Sequence, residues 1–209
     1  MKAASAARRR QHDHKSLILI GAGAAIILAL AATFMWLGTN ANNSISAGDR
    51  IGGPFSLVDD RGNHVTDRSY PGKYLLVYFG YASCPDICPA TLNTLAAAMG
   101  RLGRKADLVQ PLFITIDPTH DTTAVLHRYV AAFSPRLIGL SGTKANLDMV
   151  ADEYRVLRIP HPAADDRSSF TLDHSSVLYL MAPDGTFIAP VPADASELVM
   201  ARAIARNVQ

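Results

Sequence analysis

Cysteine is scarce in this 209-residue chain: only Cys84 and Cys88 occur, four positions apart. Any thiol chemistry must therefore lie in this one pair. Internal repeats are lacking, and the six methionines are scattered through the chain rather than gathered into one segment. A strong surplus of one charge is lacking too. Residues 1–15 hold five of the 20 basic residues and one of the 18 acidic ones, which leaves 15 basic against 17 acidic beyond them. The net charge of +2 and the pI near 8.6 thus come from the amino-terminal tail, and they give no argument for a nucleic-acid partner.

What is present begins with that tail. Lys2, Arg8, Arg9, Arg10 and Lys15 face a single Asp13 over residues 1–15, read as a basic cytoplasmic tail. Residues 16–38 read as one transmembrane anchor: Leu17 to Leu37 is uncharged and almost wholly apolar. At 1.5 Å per residue it covers roughly 30 Å, the depth of a bilayer's hydrocarbon core. Phe34 and Trp36 lie at its far end, where interfacial aromatics belong. The run is longer than the apolar stretch of an ordinary cleaved signal, so a retained anchor is favoured over a signal peptide, and a plain basic flank over a twin-arginine signal. The basic side stays in the cytoplasm, or in the matrix of an organelle. Residues 39–50 form a polar linker, and 51–209 are the size of one globular domain.

The cysteines lie in Val77-Tyr78-Phe79-Gly80-Tyr81-Ala82-Ser83-Cys84-Pro85-Asp86-Ile87-Cys88-Pro89. The apolar, aromatic run Tyr74–Phe79 before them reads as a buried strand. Pro89 to Met99 after them reads as a helix with Leu92, Leu95 and Met99 on one face. The pair thus marks a strand-to-helix turn, and a helix N-terminus is expected to favour thiolate over thiol. Three readings remain open: a structural disulfide or inert core thiols, a redox dithiol, and part of a metal site. The redox spacing most often met is Cys-x-x-Cys, and two thiolates alone seldom complete a metal site.

Along the rest of the domain, residues 54–59 and 64–66 read as a hairpin turning at Gly62. Leu108–Ile116 is a second long strand ending at Asp117-Pro118, and a helix opens near Asp121-Thr122-Thr123. Leu137–Leu140 is a short strand, and Thr143 caps a helix carrying Leu147, Val150 and Tyr154. Residues 159–171 are a loop; 176–181 and 186–189 form a closing hairpin, and a last helix covers about 195–206. Alternating strands and helices predict an α/β domain with a parallel core and antiparallel edges.

Of the seven histidines, His12 and His14 belong to the tail, while His64, His127 and His161 have ordinary surface or satisfied-core readings. His120 follows the end of the second long strand. His174, in Thr171-Leu172-Asp173-His174-Ser175-Ser176, stands directly before a buried strand. Sites in open α/β sheets collect at such strand ends, so His174 is the candidate third ligand beside Cys84 and Cys88. Two thiolates and an imidazole suit copper, or an open catalytic zinc. Asp173 could orient His174, or cap the turn.

Phe79 to Pro89, Ile114-Thr115-Ile116-Asp117-Pro118-Thr119-His120-Asp121-Thr122 and Asp173-His174-Ser175-Ser176-Val177-Leu178-Tyr179-Leu180 together resemble the Sco/SenC family over residues 50–207. The resemblance implies an α/β thioredoxin-like domain with an added β-hairpin, preceded by a single transmembrane helix. It implies a copper chaperone, handling Cu(I) or Cu(II), that delivers the ion to the CuA centre of cytochrome c oxidase. On it Cys84, Cys88 and His174 are the metal ligands, and Asp86, Asp117 and Asp173 surround them. Cys84 and Cys88 are also the possible redox disulfide, and the alternative function is a thiol–disulfide oxidoreductase that keeps the oxidase's CuA cysteines reduced. The implied partners are the copper-bearing oxidase subunit, other periplasmic copper chaperones and the membrane, with no nucleic acid. The implied location is the inner membrane, with the domain periplasmic or, alternatively, in the mitochondrial intermembrane space. Ala82-Ser83 and His120 depart from the family's usual residues. The cis-proline that faces the cysteines in thioredoxin-type reductases has no counterpart before the Ser176 strand, where Asp173-His174 stands. That difference favours metal handling over general disulfide reduction. A peroxide-reducing enzyme is disfavoured because no arginine flanks the cysteines.

Overall fold

A computed structural model describes residues 32–33, 50–156 and 177–209. The expected tail, nearly all of the expected anchor, the linker, and the 159–171 loop with Asp173 and His174 lie outside the described residues. Among the described residues no helix is long and apolar enough to cross a membrane. Arg50–Gln209 is one compact unit.

Seven strands form one sheet: β1 (Ser56–Asp59), β2 (His64–Thr66), β3 (Tyr74–Gly80), β4 (Val109–Thr115), β5 (Ile138–Ser141), β6 (Val177–Met181) and β7 (Phe187–Pro192). Their spatial order is β2-β1-β5-β4-β3-β6-β7. Among the described residues of this unit four helices accompany them: α1 (Ile87–Arg101), α2 (Thr123–Ala131), α3 (Lys144–Glu153) and α4 (Glu197–Asn207), with a 3-10 turn over Gly103–Leu108. The centre is parallel, with Gly80 paired to Thr115 at the end of β3 and β4, and Ile114 paired to Leu140 between β4 and β5. Both flanks are antiparallel.

Strands β3 and β4 read as continuous apolar runs because each is covered on both faces. Side chains alternate: Leu76, Tyr78 and Phe113 pack with Leu92, Leu95 and Met99 of α1, Leu126 and Val130 of α2, and Met200 and Ile204 of α4. Leu75, Val77, Phe79, Leu112 and Ile114 pack on the other face with Leu147, Val150 and Tyr154 and with Phe55, Leu57 and Val65 of the first hairpin. Each large side chain so buried contributes roughly 1.5–3 kcal/mol against its exposed state, before entropy is counted. Gly62 makes the β1–β2 turn at φ 88°. The hydroxyls of Thr122, Thr143 and Ser196 accept from Val125, Asn146 and Val199 N–H and cap α2, α3 and α4.

Several boundaries differ from the sequence reading by one or more residues, and two of them involve proline. Helix α1 starts at Ile87, so Cys88 and Pro89 both lie in its first turn. Proline is admitted there because those N–H groups have no intrahelical partner. Strand β7 continues through Pro190 to Pro192; as an edge strand it tolerates the missing donors.

Candidate metal centre

Strand β3 ends at Gly80, and the chain turns through residues 81–86 into α1. Neither cysteine is in a disulfide; Cys84 is half-buried and Cys88 is 1% exposed. The turn is held by Cys84 N–H donating to Tyr81 O at 3.2 Å. Cys88 N–H, in the first turn of α1, donates to Cys84 Sγ at 3.4 Å. The two sulfurs therefore flank a helix N-terminus, one inside the helix and one capping it.

Cys88 Sγ also accepts from the Tyr78 hydroxyl at 3.7 Å. Gly80 leaves room for this sulfur: a Cβ there would lie 2.8 Å from Cys88 Sγ and 2.8 Å from Phe113 Cε2. The expectation that the helix terminus favours thiolate is corrected for Cys88. Burial pushes its thiol up to about 12, outweighing the hydrogen bonds that lower it. Burial likewise pushes the Tyr81 phenol up to about 12, with Cys84 beside it adding to the shift.

The β4–α2 loop lies against this turn because β4 is the parallel neighbour of β3. Asp121, 1% exposed, accepts from Ala82 N–H at 2.9 Å and from Thr115 Oγ1 at 2.5 Å. Burial raises its carboxyl above the ordinary value although both hydrogen bonds pull it down. Thr115 Oγ1 in turn accepts from Asp117 N–H at 3.0 Å. Asp117 is buried, and its Oδ2 bonds His120 Nδ1 at 2.7 Å.

Cys84, Cys88, Asp117 and His120 thus all follow the C-terminal ends of the central strands β3 and β4. Asp86 is exposed at the N-cap of α1, where its side chain makes no capping bond. His174 and Asp173 lie outside the described residues, and among the described residues no three His, Cys, Asp or Glu side chains cluster closely enough to hold a metal ion. Sequence reasoning missed Gly80, Tyr78, Thr115 and Asp121 as parts of the site. Asp121 carried only a helix-opening signal; a bond to a residue 39 positions away leaves no local trace. Gly80, as a glycine closing a buried strand next to the cysteines, carried a readable sign of close packing.

Comparison with known proteins gives these features a context. Residues 43–209 match the family model described as SCO1/SenC. The chain is 42% identical over 140 residues to "Protein SCO1 homolog, mitochondrial" of Homo sapiens, covering 66% of this chain and 46% of that protein. It is 35% identical over 179 residues to the "SCO2-like protein" of Rickettsia felis, covering 86% and 87%. The chain spans about half the length of most of the curated relatives it matches. Among solved structures it resembles copper-bound yeast Sco1, with TM-score 0.69 and 37% identity over 76% of this chain and 88% of that one. It also resembles copper-bound Bradyrhizobium japonicum ScoI, with TM-score 0.67 and 40% identity over 75% and 98%. The mixed sheet and its helices match the thioredoxin-like fold of these proteins, and the chain belongs to the SCO1/SenC family.

Proposed function

We propose that this chain is a membrane-anchored copper metallochaperone that binds copper through Cys84, Cys88 and His174 and delivers it to the CuA centre of cytochrome c oxidase. The observation that carries this reading is the pair of reduced thiols one helical turn apart, with Cys88 N–H on Cys84 Sγ. Thiolates select Cu(I), and an imidazole completes a set suited to either copper oxidation state. Strand β6 is antiparallel to β3, with Val77 paired to Tyr179, so β6 begins beside the C-terminal end of β3. Two residues, Ser175 and Ser176, lie between His174 and Val177, and those three Cα steps span at most ~11 Å. The copper-bound relatives from yeast, Arabidopsis thaliana and Bradyrhizobium japonicum support copper as the cargo.

In this reading residues 1–15 are a cytoplasmic tail, 16–38 the anchor, 39–50 the linker and 51–209 the copper-binding domain beyond the inner membrane. Delivery is ligand exchange: partner ligands displace the three donors one at a time while the ion keeps its charge. An oxidised cysteine pair cannot bind, so the redox state of the dithiol sets whether the chain can load. The test is copper titration of the reduced full chain in detergent micelles, wild type against His174→Ala. One equivalent with thiolate-to-Cu(II) charge-transfer bands, lost in the variant, is the expected result. No stoichiometric binding, or equal binding by the variant, overturns the reading.

A second reading follows from the unequal exposure of the thiols. Half-buried Cys84 could attack a partner disulfide and release one partner thiolate, and buried Cys88 would then attack Cys84 and release the other. The chain ends oxidised and the partner reduced. His174→Ala would spare this exchange while removing the copper site.

A further inference from the structure

Asp117 and His120 form a pair that neither the sheet nor the cysteine turn requires. Asp117 is buried at the end of β4, and its Oδ2 takes His120 Nδ1 at 2.7 Å while the His120 side chain is 63% exposed. A carboxylate only accepts, so Nδ1 carries the proton, and in the neutral ring the free lone pair is on Nε2. A carboxylate behind the far ring nitrogen is the usual support of a metal-binding imidazole. This imidazole is next to Asp121, whose carboxylate holds Ala82 N–H at 2.9 Å, two residues before Cys84. The exposed imidazole therefore stands on the loop that borders the cysteine turn.

We propose that His120 is a transient copper ligand, which takes the ion from a donor through Nε2 and passes it to the cysteines. The inference rests on the copper reading above and adds an entry step to it. One copper–nitrogen bond forms as one bond to the donor's ligand breaks. For the neutral ring no proton leaves in this step, because the lone pair used is that of Nε2, and the copper oxidation state does not change. Cys84 then displaces the imidazole, and buried Cys88 displaces a remaining donor ligand; a sulfur that still carries its proton releases it to the buffer as the copper–sulfur bond forms. An exposed, carboxylate-oriented ligand meets the incoming complex first; Cys88, 1% exposed, cannot.

The fold supplies its own control. His127 on α2 makes the same bond, Nδ1 to Asp60 Oδ2 at 2.7 Å, with its side chain 53% exposed. Asp60 follows β1, away from the cysteine turn. The experiment is stopped-flow loading of the reduced full chain in detergent micelles with Cu(II) supplied as its bis-glycine complex, followed at the thiolate charge-transfer band. His120→Ala and His120→Gln are expected to slow loading about tenfold with the same final amplitude, while His127→Ala loads at the wild-type rate. Circular dichroism of each variant checks that the fold is retained, and the glutamine keeps a polar group of similar reach. Loading of both His120 variants at the wild-type rate overturns the proposal. So does a lower final amplitude, which makes His120 a resident ligand, or equal slowing by His127→Ala, which makes capture a general property of surface imidazoles. A wild-type chain that takes up no copper overturns the proposed function itself and the entry step with it.

Discussion

Asp121 ties the cysteine turn to the neighbouring strand: its Oδ2 accepts Ala82 N–H at 2.9 Å and Thr115 Oγ1 at 2.5 Å. Its own carbonyl accepts from Ser141 Oγ at 3.3 Å, so β3, β4 and β5 meet at this one residue. Asp121→Ala leaves two donors without partners in a site where Thr115 is fully buried. The expected cost is about 1–3 kcal/mol, read by urea unfolding. Copper retention against a chelator falls as well, because the turn that spaces the sulfurs is loosened. Asp121→Asn keeps one accepting oxygen and should lose less of both. Equal losses in the two variants would show that a neutral amide oxygen cannot take the place of the carboxylate.

Gly80 is expected to be intolerant for a packing reason. Gly80→Ala drives a methyl to 2.8 Å from both Cys88 Sγ and Phe113 Cε2. Overpacking of this kind costs about 1–3 kcal/mol, and the sulfur must move to relieve it, so copper affinity drops together with the unfolding midpoint. Gly100→Ala is the contrast. Its new Cβ meets nothing within 4 Å, and it lies in α1. That variant should gain roughly 0.5–1 kcal/mol from helix propensity and leave copper binding unchanged.

The fold was legible where the signal was local. The apolar runs of β3 and β4, the Gly62 turn, the helix opening near Thr122 and the Thr143 cap all read directly from neighbouring residues. The strand–cysteine–helix turn was legible for the same reason. The antiparallel pairing of β1 to β5, Val58 opposite Ser141, joins residues 83 positions apart, and no local pattern reports it. Cys88 shows the same limit in its electrostatics. The helix start was visible in the sequence, but the burial that dominates its thiol comes from Tyr78 and from packing among core side chains of several elements.

Asp59 gives a prediction in pH. It is buried, and burial alone would raise its carboxyl. Hydrogen bonds from the Asn63 side chain and from Asn63 and Arg61 N–H, the closest at 2.7 Å, outweigh that, and the Arg61 charge adds to them, so its value falls below the ordinary 3.8. A lowered folded-state value means the unfolded chain binds more protons in that window. The contribution is complete above 3.8 and is lost as pH falls through the folded value. Wild type should therefore lose stability on acidification from pH about 5 to pH about 2 more steeply than Asp59→Asn, in which the group no longer titrates. Urea midpoints across that range check it; parallel curves would mean that Asp59 has the same affinity for protons in both states.

Tyr78 tests whether the buried sulfur is tuned by its one hydroxyl donor. Tyr78 is 3% exposed, and its O–H reaches Cys88 Sγ at 3.7 Å. Tyr78→Phe keeps the ring, its tilted packing on Phe113 at 6.1 Å, and the space it fills. Only the hydroxyl is removed, so stability should change by no more than about 1 kcal/mol. The bond favours the reduced pair, because a thiol or thiolate sulfur is a better acceptor than a disulfide sulfur. Without it the equilibrium between dithiol and disulfide moves toward the disulfide, by less than about tenfold, or under ~30 mV for the two-electron couple. Equilibration in glutathione redox buffers measures the shift. A variant with unchanged potential but lowered stability would mean that the hydroxyl serves packing alone. A shift toward the disulfide at unchanged stability would mean that Tyr78 helps keep the pair in the reduced state that the proposed copper site requires.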